Sequence, residues 1–313
     1  MFSSLNARFN IPPIISVASG KGGVGKSLLS VSLSALLAEK GVRVLLIDAA
    51  MGLGNLHIMT NSIPVGTLED IFENNCEVRD AVMNISSNLD LIPSASGIRT
   101  NNRNIDENRL RVKLAGLKSE YDLIILDTPS GISDRSLKFI SLSDTLILMV
   151  TPELGSLADG YAVLKLTSAE QENRDSMLVV NMSRSDAEGK STAEKFAEMT
   201  KRFLSLKLKH ISWLPEDSKI KEILMRQNIL NSKREDCPFF AHLHEAVQYI
   251  FPDLVKHEVK GKDKSRGKIN SDFMLSSPSP LTDRNNGIPR AGELENNIVN
   301  TNVKAQGKTS YES

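Results

Sequence analysis

The chain has 313 residues, of which 40% are hydrophobic, so it can bury a substantial core as one large domain or two small ones. Lys plus Arg and Asp plus Glu each number 38, so the formal net charge is zero and no overall field draws the protein towards nucleic acid or anionic lipid. Cys76 and Cys237 form no C-x-x-C pair, and no signal peptide or membrane-spanning run is visible, so we expect a cytoplasmic protein without a disulfide framework or zinc ribbon.

Short apolar runs alternate with amphipathic stretches from residue 14 onwards. Several runs are apolar nearly throughout, which is typical of parallel strands covered on both faces. Leu28 to Lys40, closed by Gly41, and Ser156 to Thr167 read as amphipathic helices. The alternation predicts an α/β fold with a mostly parallel, doubly wound sheet and helices on both faces. The predicted strands are 14–19, 42–48, 89–95, 122–129, 145–152, 177–183 and 209–215.

The C-terminal part of the sequence changes character. Phe239 to Phe251 carries apolar residues at helical spacing, which predicts a last helix with a stripe that faces the core. After about Val259, Lys, Asn, Ser, Pro and Gly dominate, and large apolar side chains are too few to offset the entropy of ordering. We therefore divide the chain into an N-terminal extension (1–12), a main α/β domain (13–256) and a disordered polar tail (257–313).

The string "SGKGGVGKS" satisfies the pattern G-x-x-x-x-G-K-[ST] between a predicted strand and a predicted helix. Backbone N–H groups of such a loop bind phosphate oxygens at a helix N-terminus, Lys26 meets the β- and γ-phosphates, and the Ser27 hydroxyl binds Mg²⁺. A glycine-rich turn without a ligand is the alternative, and the full spacing and the flanking elements disfavour it. The predicted nucleotide-binding residues of the loop are Gly20, Lys21, Gly22, Gly23, Val24, Gly25, Lys26 and Ser27.

The exact string K-G-G-V-G-K-S resembles the deviant Walker A motif of the MinD/ParA class of ATPases. This resemblance implies ATP as the nucleotide and a homodimer in which Lys21 reaches the phosphates bound to the partner, whereas a solvated loop lysine is the alternative. "DLIILDTPSGI" is similar to the Walker B and switch II segment of the class. It implies that Asp127 holds Mg²⁺ through water and that Gly131 lies near the γ-phosphate.

Two further segments, "TPELGSLADGYAVLKL" and "VVNMS", resemble the FlhG (FleN) branch, whose members regulate flagellar number, and its MinD relatives. The resemblance implies that Asn181 reads the adenine base. It also implies that Pro215, in "LPEDSKI", packs near that base. A buried strand asparagine is otherwise often structural.

One position departs from this branch. Its members read Asp-x-Asp where this chain has Asp48, Ala49 and Ala50. The resemblance implies that Asp48 lies close to Mg²⁺ and its waters, and that an aspartate at position 50 would orient the attacking water. Because phosphoryl transfer depends on positioning, alanine there should slow turnover by about 10²-fold, or about 3 kcal/mol. Asn55 or another neighbour taking over the role is the alternative.

These observations predict an Mg²⁺-dependent ATPase with Lys21, Lys26, Asp48 and Asp127 as catalytic residues and Ser27, Asp48 and Asp127 around the metal. Its function would be an ATP-dependent homodimeric switch that regulates flagellar number or placement, or the cell pole or division site. A non-hydrolysing ATP-bound adaptor and a ParA-type partition ATPase on DNA are the alternatives.

Partners are less well defined by the sequence. We expect a second copy and flagellar or polar regulatory proteins. The basic run 256–268 has few apolar anchors, which gives membrane association at the inner face of the cell membrane weak support. Neutral charge disfavours DNA binding. "MFSSLNARFN" does not match the N-terminal segment with which FlhG relatives stimulate the GTPase FlhF.

Overall fold

The computed structural model describes residues 11–96, 106–170, 174–226, 229–230 and 237–251. The predicted tail and the basic run 256–268 lie outside the described residues. The strands are β1 (Ile14–Ala18), β2 (Val44–Asp48), β3 (Met83–Ser86), β4 (Leu89–Ile92), β5 (Leu123–Asp127), β6 (Thr145–Val150), β7 (Asp175–Ser183) and β8 (His210–Pro215).

The helices of the described residues include a 3₁₀ turn at Leu117–Ser119. The α-helices are α1 (Lys26–Glu39), α2 (Leu56–Met59), α3 (Leu68–Glu73), α4 (Val78–Ala81), α5 (Glu107–Leu114), α6 (Asp134–Ser141), α7 (Leu154–Glu170), α8 (Asp186–Leu204), α9 (Ser218–Met225) and α10 (Pro238–Ile250). None of the helices in these ranges is long and apolar enough to cross a membrane.

All strands form one sheet in the order β3-β4-β2-β5-β1-β6-β7-β8. Every pairing is parallel except β3 with β4, which is antiparallel and carries an irregularity between Asn84 and Ser86. The predicted parallel strands are confirmed. The sequence analysis missed β3, because it is only four residues long and its side chains are mostly not buried. A strand of that kind lacks the continuous apolar run that marks the others.

The sheet separates two layers of helices, as the alternating side chains of β1 show. Ile15 and Val17 pack into one core with α1 and α10, whereas Ile14 packs into a second core with α3, α5 and α6. Helices α7 and α8 cover β6 and β7 in a third core. Helices therefore lie on both faces, as the alternation of elements predicts. The carboxyl ends of the central strands remain as the edge from which the loops project, which is where open α/β sheets bind ligands.

Helix α1 differs from its prediction. The sequence analysis expects an amphipathic helix, but 12 of its 14 residues are buried, including Ser30, Ser32 and Ser34. The reason is that α1 packs against the sheet and also against α10, which itself packs on β8, so a neighbouring helix covers part of α1 that the sheet does not. The apolar stripe of α10, with Phe240, Leu243 and Val247, faces this core as predicted.

Helix α8 packs tightly on β8, and this contact can be tested with one methyl group. A Cβ on Gly189 would lie 2.6 Å from Trp213 Cγ, so either the indole ring or the helix must shift. We expect Gly189→Ala to lower the free energy of unfolding by about 1–3 kcal/mol, as overpacking does. Gly155→Ala in α7 is the matched control, since nothing lies within 4 Å of its Cβ. Urea unfolding of both variants measures the difference, and equal stabilities would contradict this packing.

Candidate nucleotide and metal site

The loop from Ser19 to Gly25 joins β1 to the N-terminus of α1. Gly23 and Gly25 have φ angles of +77° and +100°, which side chains rarely adopt. The loop is also closely packed at both ends. A Cβ on Gly20 would lie 2.3 Å from the backbone of Asp159 in α7, and one on Gly25 would lie 2.5 Å from Asn181 Nδ2 in β7. The glycine spacing therefore lets the backbone curl between two neighbouring elements and leaves its N–H groups at a helix N-terminus.

Lys26 and Ser27 begin α1. Their side chains contact one residue that ends β5 and one that follows it. Lys26 is 8% exposed, and its Nζ donates a hydrogen bond of 2.5 Å to Ser130 Oγ. Burial lowers the pKa of Lys26, and the charge of Asp127 opposes that shift. The Ser27 hydroxyl donates to Asp127 Oδ2 at 2.6 Å. The two motifs that the sequence analysis identified far apart in the chain therefore meet at one point.

Asp127 is the last residue of β5 and is almost completely buried. Its second oxygen, Oδ1, accepts a hydrogen bond of 3.0 Å from Ser30. Burial, followed by the charge of Asp48, raises the pKa of Asp127 to about 7, against the opposing effect of the Ser27 hydrogen bond. A carboxyl group held next to a serine hydroxyl and short of compensating positive charge is a favourable environment for a divalent cation.

Asp48 lies beside Asp127, because the two residues are paired in the register of β2 and β5. It is fully buried, and its oxygens accept three backbone hydrogen bonds, from Ala50 (3.0 Å), Asn55 (3.0 Å) and Leu56 (3.1 Å). Burial raises the pKa of Asp48, and these N–H groups oppose the shift. The carboxylate therefore fixes the loop that follows β2. Its role near Mg²⁺ stays a prediction.

Glu69 of α3 holds the same loop from the other side, and sequence reasoning missed it. It is 6% exposed and accepts hydrogen bonds from Gly52 N (3.1 Å), Ser94 Oγ (2.8 Å) and Ala95 N (2.9 Å). The only local signal is the capping box of Thr67 and Asp70, which marks the start of α3 but not the direction of Glu69. Residues 49–55 are thus held between two buried carboxylates.

A cavity of about 1380 Å³ opens over the phosphate loop. Its wall continues from the loop to Asn181, Met182 and Pro215. The residues predicted to bind the phosphates and those predicted to contact the base therefore line the same cavity. The other lining residues include Gly23, Gly25, Lys26, Ser27, Ala50, Leu53, Asn55, Asp127, Ser130, Glu216 and Asp217. Asn181 is 3% exposed, and its Nδ2 donates to Val24 O at 2.8 Å. That amide group therefore supports the phosphate loop, while adenine contacts by Asn181 and Pro215 stay predictions.

Lys21 and Gly131 lie near the beginning of the phosphate loop. The Lys21 side chain is 46% exposed and forms an ion pair with Glu153, which itself is 67% exposed. The hydrogen bond to Glu153 raises the pKa of Lys21. Gly131 has a φ of +92°, and its N–H donates to Ser19 O at 2.8 Å. The switch segment after β5 is therefore joined directly to the start of the phosphate loop.

The residues present fit a nucleoside triphosphate with Mg²⁺. The curled loop at a helix N-terminus and the buried Lys26 suit phosphate groups, and the Ser27–Asp127 pair offers the hard oxygen ligands that Mg²⁺ requires. Within the described ranges no group of three or more His, Cys, Asp or Glu is placed to hold a metal ion. Mg²⁺ in phosphate sites usually keeps several waters and binds substrate phosphates together with one or two protein groups.

The fold and the site define a P-loop NTPase with the architecture of the MinD/ParA ATPases. A chain of the MinC:MinD cell division protein complex from Aquifex aeolicus superimposes with a TM-score of 0.65 at 24% identity, over 77% of this chain and 96% of that chain. The ParA family ATPase from Chlorobium tepidum gives a TM-score of 0.62 at 20% identity, over 78% and 100% respectively. These likenesses show the fold.

Sequence comparison establishes the family. A family model described as an AAA domain matches residues 13–180. The antiactivator FleN of Pseudomonas aeruginosa is 31% identical over 216 residues, which cover 68% of this chain and 77% of FleN. The flagellum site-determining protein YlxH of Helicobacter pylori is 29% identical over 227 residues, which cover 69% and 74% respectively. The chain belongs to this AAA-domain family, as a P-loop ATPase of the MinD/ParA class related to FleN.

The raised pKa of Asp127 gives a testable pH dependence in buffer without nucleotide and metal. A carboxyl whose pKa is raised by folding stabilises the native state while it is protonated, and this contribution is lost as the pH rises from about 4 to about 7. The free energy of unfolding of the unsubstituted protein, minus that of Asp127→Asn, should therefore fall by about 3–4 kcal/mol across that range. Urea unfolding measures it, with Asp134→Asn, on an exposed carboxylate, as the control. Parallel curves for the native protein and Asp127→Asn would refute the assignment.

Proposed function

We propose that this protein is a MinD-like ATPase that works as an ATP-dependent homodimeric switch and hydrolyses ATP slowly. The contact of Ser27 with Asp127 beneath the phosphate loop carries the proposal, because it joins the two groups that a P-loop ATPase needs around its metal. FleN and YlxH are named as an antiactivator and a flagellum site-determining protein, and the second name supports a role in flagellar number or placement, or in organising the cell pole or division site.

Each residue has a distinct task in this proposal. Backbone N–H groups of the loop bind the phosphates, and Lys26 neutralises charge at the β- and γ-phosphates. Ser27 and Asp127 would hold Mg²⁺, which supplies further charge neutralisation when bound. Because Lys26 and Asp127 are buried, they act in a medium of low dielectric, where fixed charges stabilise a transition state more effectively than in water.

Slow turnover follows from the loop after β2. Ala50 lines the cavity but offers no side-chain acceptor to an attacking water. Asp48 cannot easily replace it, because its oxygens already accept hydrogen bonds from Ala50, Asn55 and Leu56. Nucleotide binding does not need that acceptor. The same features favour a second candidate function, an adaptor that holds ATP without useful turnover.

Dimerisation would depend on Lys21. Both side chains of its ion pair with Glu153 are exposed to solvent, so the pair is weak. Lys21 can exchange that partner for the phosphates bound to a second copy at little cost.

The expected partners are a second copy and flagellar or polar regulators in the cytoplasm. Association with the inner face of the membrane is a weaker proposal, and action on DNA is disfavoured by the neutral net charge.

Restoring the carboxylate tests the account of turnover. Ala50→Asp should raise kcat for ATP hydrolysis by about 100-fold and change the Kd for ATP by less than about threefold, because the new group orients water rather than binding nucleotide. Ile63→Asp adds the same charge at an 87% exposed position that does not line the cavity and is the control. Phosphate release and binding of a fluorescent ATP analogue measure the two quantities. Native turnover as fast as that of Ala50→Asp would show that Ala50 does not limit hydrolysis, whereas ATP retained for hours would favour the adaptor.

The dimer has its own test. Lys21→Ala should abolish ATP-dependent dimerisation in light scattering after size exclusion, because the phosphates would lose their contact across the interface. Glu153→Gln removes the ion-pair partner of Lys21 and leaves the lysine in place, so it should still dimerise. A Lys21→Ala protein that dimerises as the native protein does would contradict the proposed switch.

A further inference from the structure

Ser130 is a polar cavity residue to which the phosphate-binding motifs assign no role. It lies in the segment between β5 and α6, lines the cavity, and accepts the hydrogen bond from Lys26 Nζ. A Cβ on Gly22, at the other end of the phosphate loop, would lie 3.9 Å from Ser130 Oγ. The hydroxyl therefore lies over the phosphate loop, between Gly22 and the lysine that meets the terminal phosphates.

The backbone on both sides of Ser130 is fixed. Before it, the Thr128 hydroxyl donates to Val17 O at 2.9 Å. After it, the Gly131 N–H donates to Ser19 O at 2.8 Å. The residues that flank Ser130 are thus bonded to β1 and to the start of the phosphate loop. A hydroxyl held in this way needs little rearrangement to act on a bound phosphate, which is the condition for effective positioning.

The polar groups at the ends of β2 and β5, beside the phosphate loop, are already engaged. Asp48 accepts three backbone N–H groups, and Asp127 accepts the hydroxyls of Ser27 and Ser30. Thr128 is 1% exposed, and its hydroxyl is bonded to the backbone. Ser130 is exposed to the cavity, and a hydroxyl can accept from Lys26 and still bind a second partner. Asn55, which also lines the cavity and is exposed, is a second polar residue that the test must consider.

We propose that the Ser130 hydroxyl is a further catalytic group, which contacts the terminal phosphate and orients the attacking water in place of the carboxylate missing at position 50. This inference rests on the proposed ATPase function. In the step, the water oxygen forms a bond to the γ-phosphorus, and the bond to the β–γ bridging oxygen breaks with its electron pair left on ADP. The second proton of the water passes to a phosphate oxygen or to solvent. Ser130 orients the water and gains or loses no proton overall.

The test compares Ser130→Ala with Ser130→Thr, which keeps the hydroxyl, in single-turnover hydrolysis of ATP. We expect Ser130→Ala to lower the rate by about 10-fold and to change the Kd for ATP by less than about threefold, while Ser130→Thr retains most of the rate. Because an aspartate at position 50 supplies another acceptor, the loss from Ser130→Ala should shrink to less than about threefold in an Ala50→Asp background. Ser168→Ala, on a half-buried serine of α7 whose hydroxyl donates to Lys165 O, is the control.

The outcomes separate this inference from the proposed function. If the native protein binds and hydrolyses ATP and Ser130→Ala has the same rate, the role of Ser130 is refuted and the ATPase function stands. An equal loss in both backgrounds, or a loss with Asn55→Ala and none with Ser130→Ala, also refutes it. If the native protein binds ATP but shows no hydrolysis, the adaptor replaces the ATPase and Ser130 has no water to orient. If it binds no ATP, the nucleotide function itself is wrong and the role of Ser130 falls with it.

Discussion

The buried carboxylate of Asp127 is the group on which the arrangement of the site depends. It ends a central strand, and its two oxygens accept the hydroxyls of Ser27 and Ser30, which lie one turn apart on α1. These bonds fix the rotation of α1 against the sheet and so set the direction in which the phosphate loop opens. A carboxylate buried without such donors would cost several kcal/mol. Ser27 and Ser30 of this helix are therefore part of the site.

A second constraint is the way the chain uses its other buried carboxylates. Asp48 and Glu69 together accept five backbone N–H groups and one hydroxyl around residues 49–56 and 94–95. Their oxygens hold the loop that carries Ala50 and Asn55 into the cavity wall. The loop is thus rigidly placed, while the position that would supply an acceptor to water carries a methyl group. In the function we propose, such a site would hold a nucleotide in a defined geometry and hydrolyse it slowly.

The sequence predicts those parts of the site that depend on local geometry. Glycine spacing, the strand before the loop and the helix after it determine the phosphate loop, and apolar runs determine the parallel strands. Contacts between distant segments were not predictable in the same way. The hydrogen bond of Asn181 to Val24 spans 157 positions, and that of Lys26 to Ser130 spans 104. Glu69 was missed for the same reason, because its partners lie in other loops and no local pattern indicates which way it points.

The electrostatics of the cleft explain why a charged ligand should bind there. Burial lowers the pKa of Lys26 and raises that of Asp127 to about 7, so desolvation disfavours the charged form of both groups. Phosphate groups beside Lys26 and a divalent cation beside Asp127 would each place opposite charge next to a poorly compensated group. Both pKa shifts would then diminish. Ligand binding would offset the free energy that burying these two charged groups costs the native state. Ligand binding would therefore stabilise this site, and in the function we propose this coupling would link nucleotide occupancy to the loops that surround it.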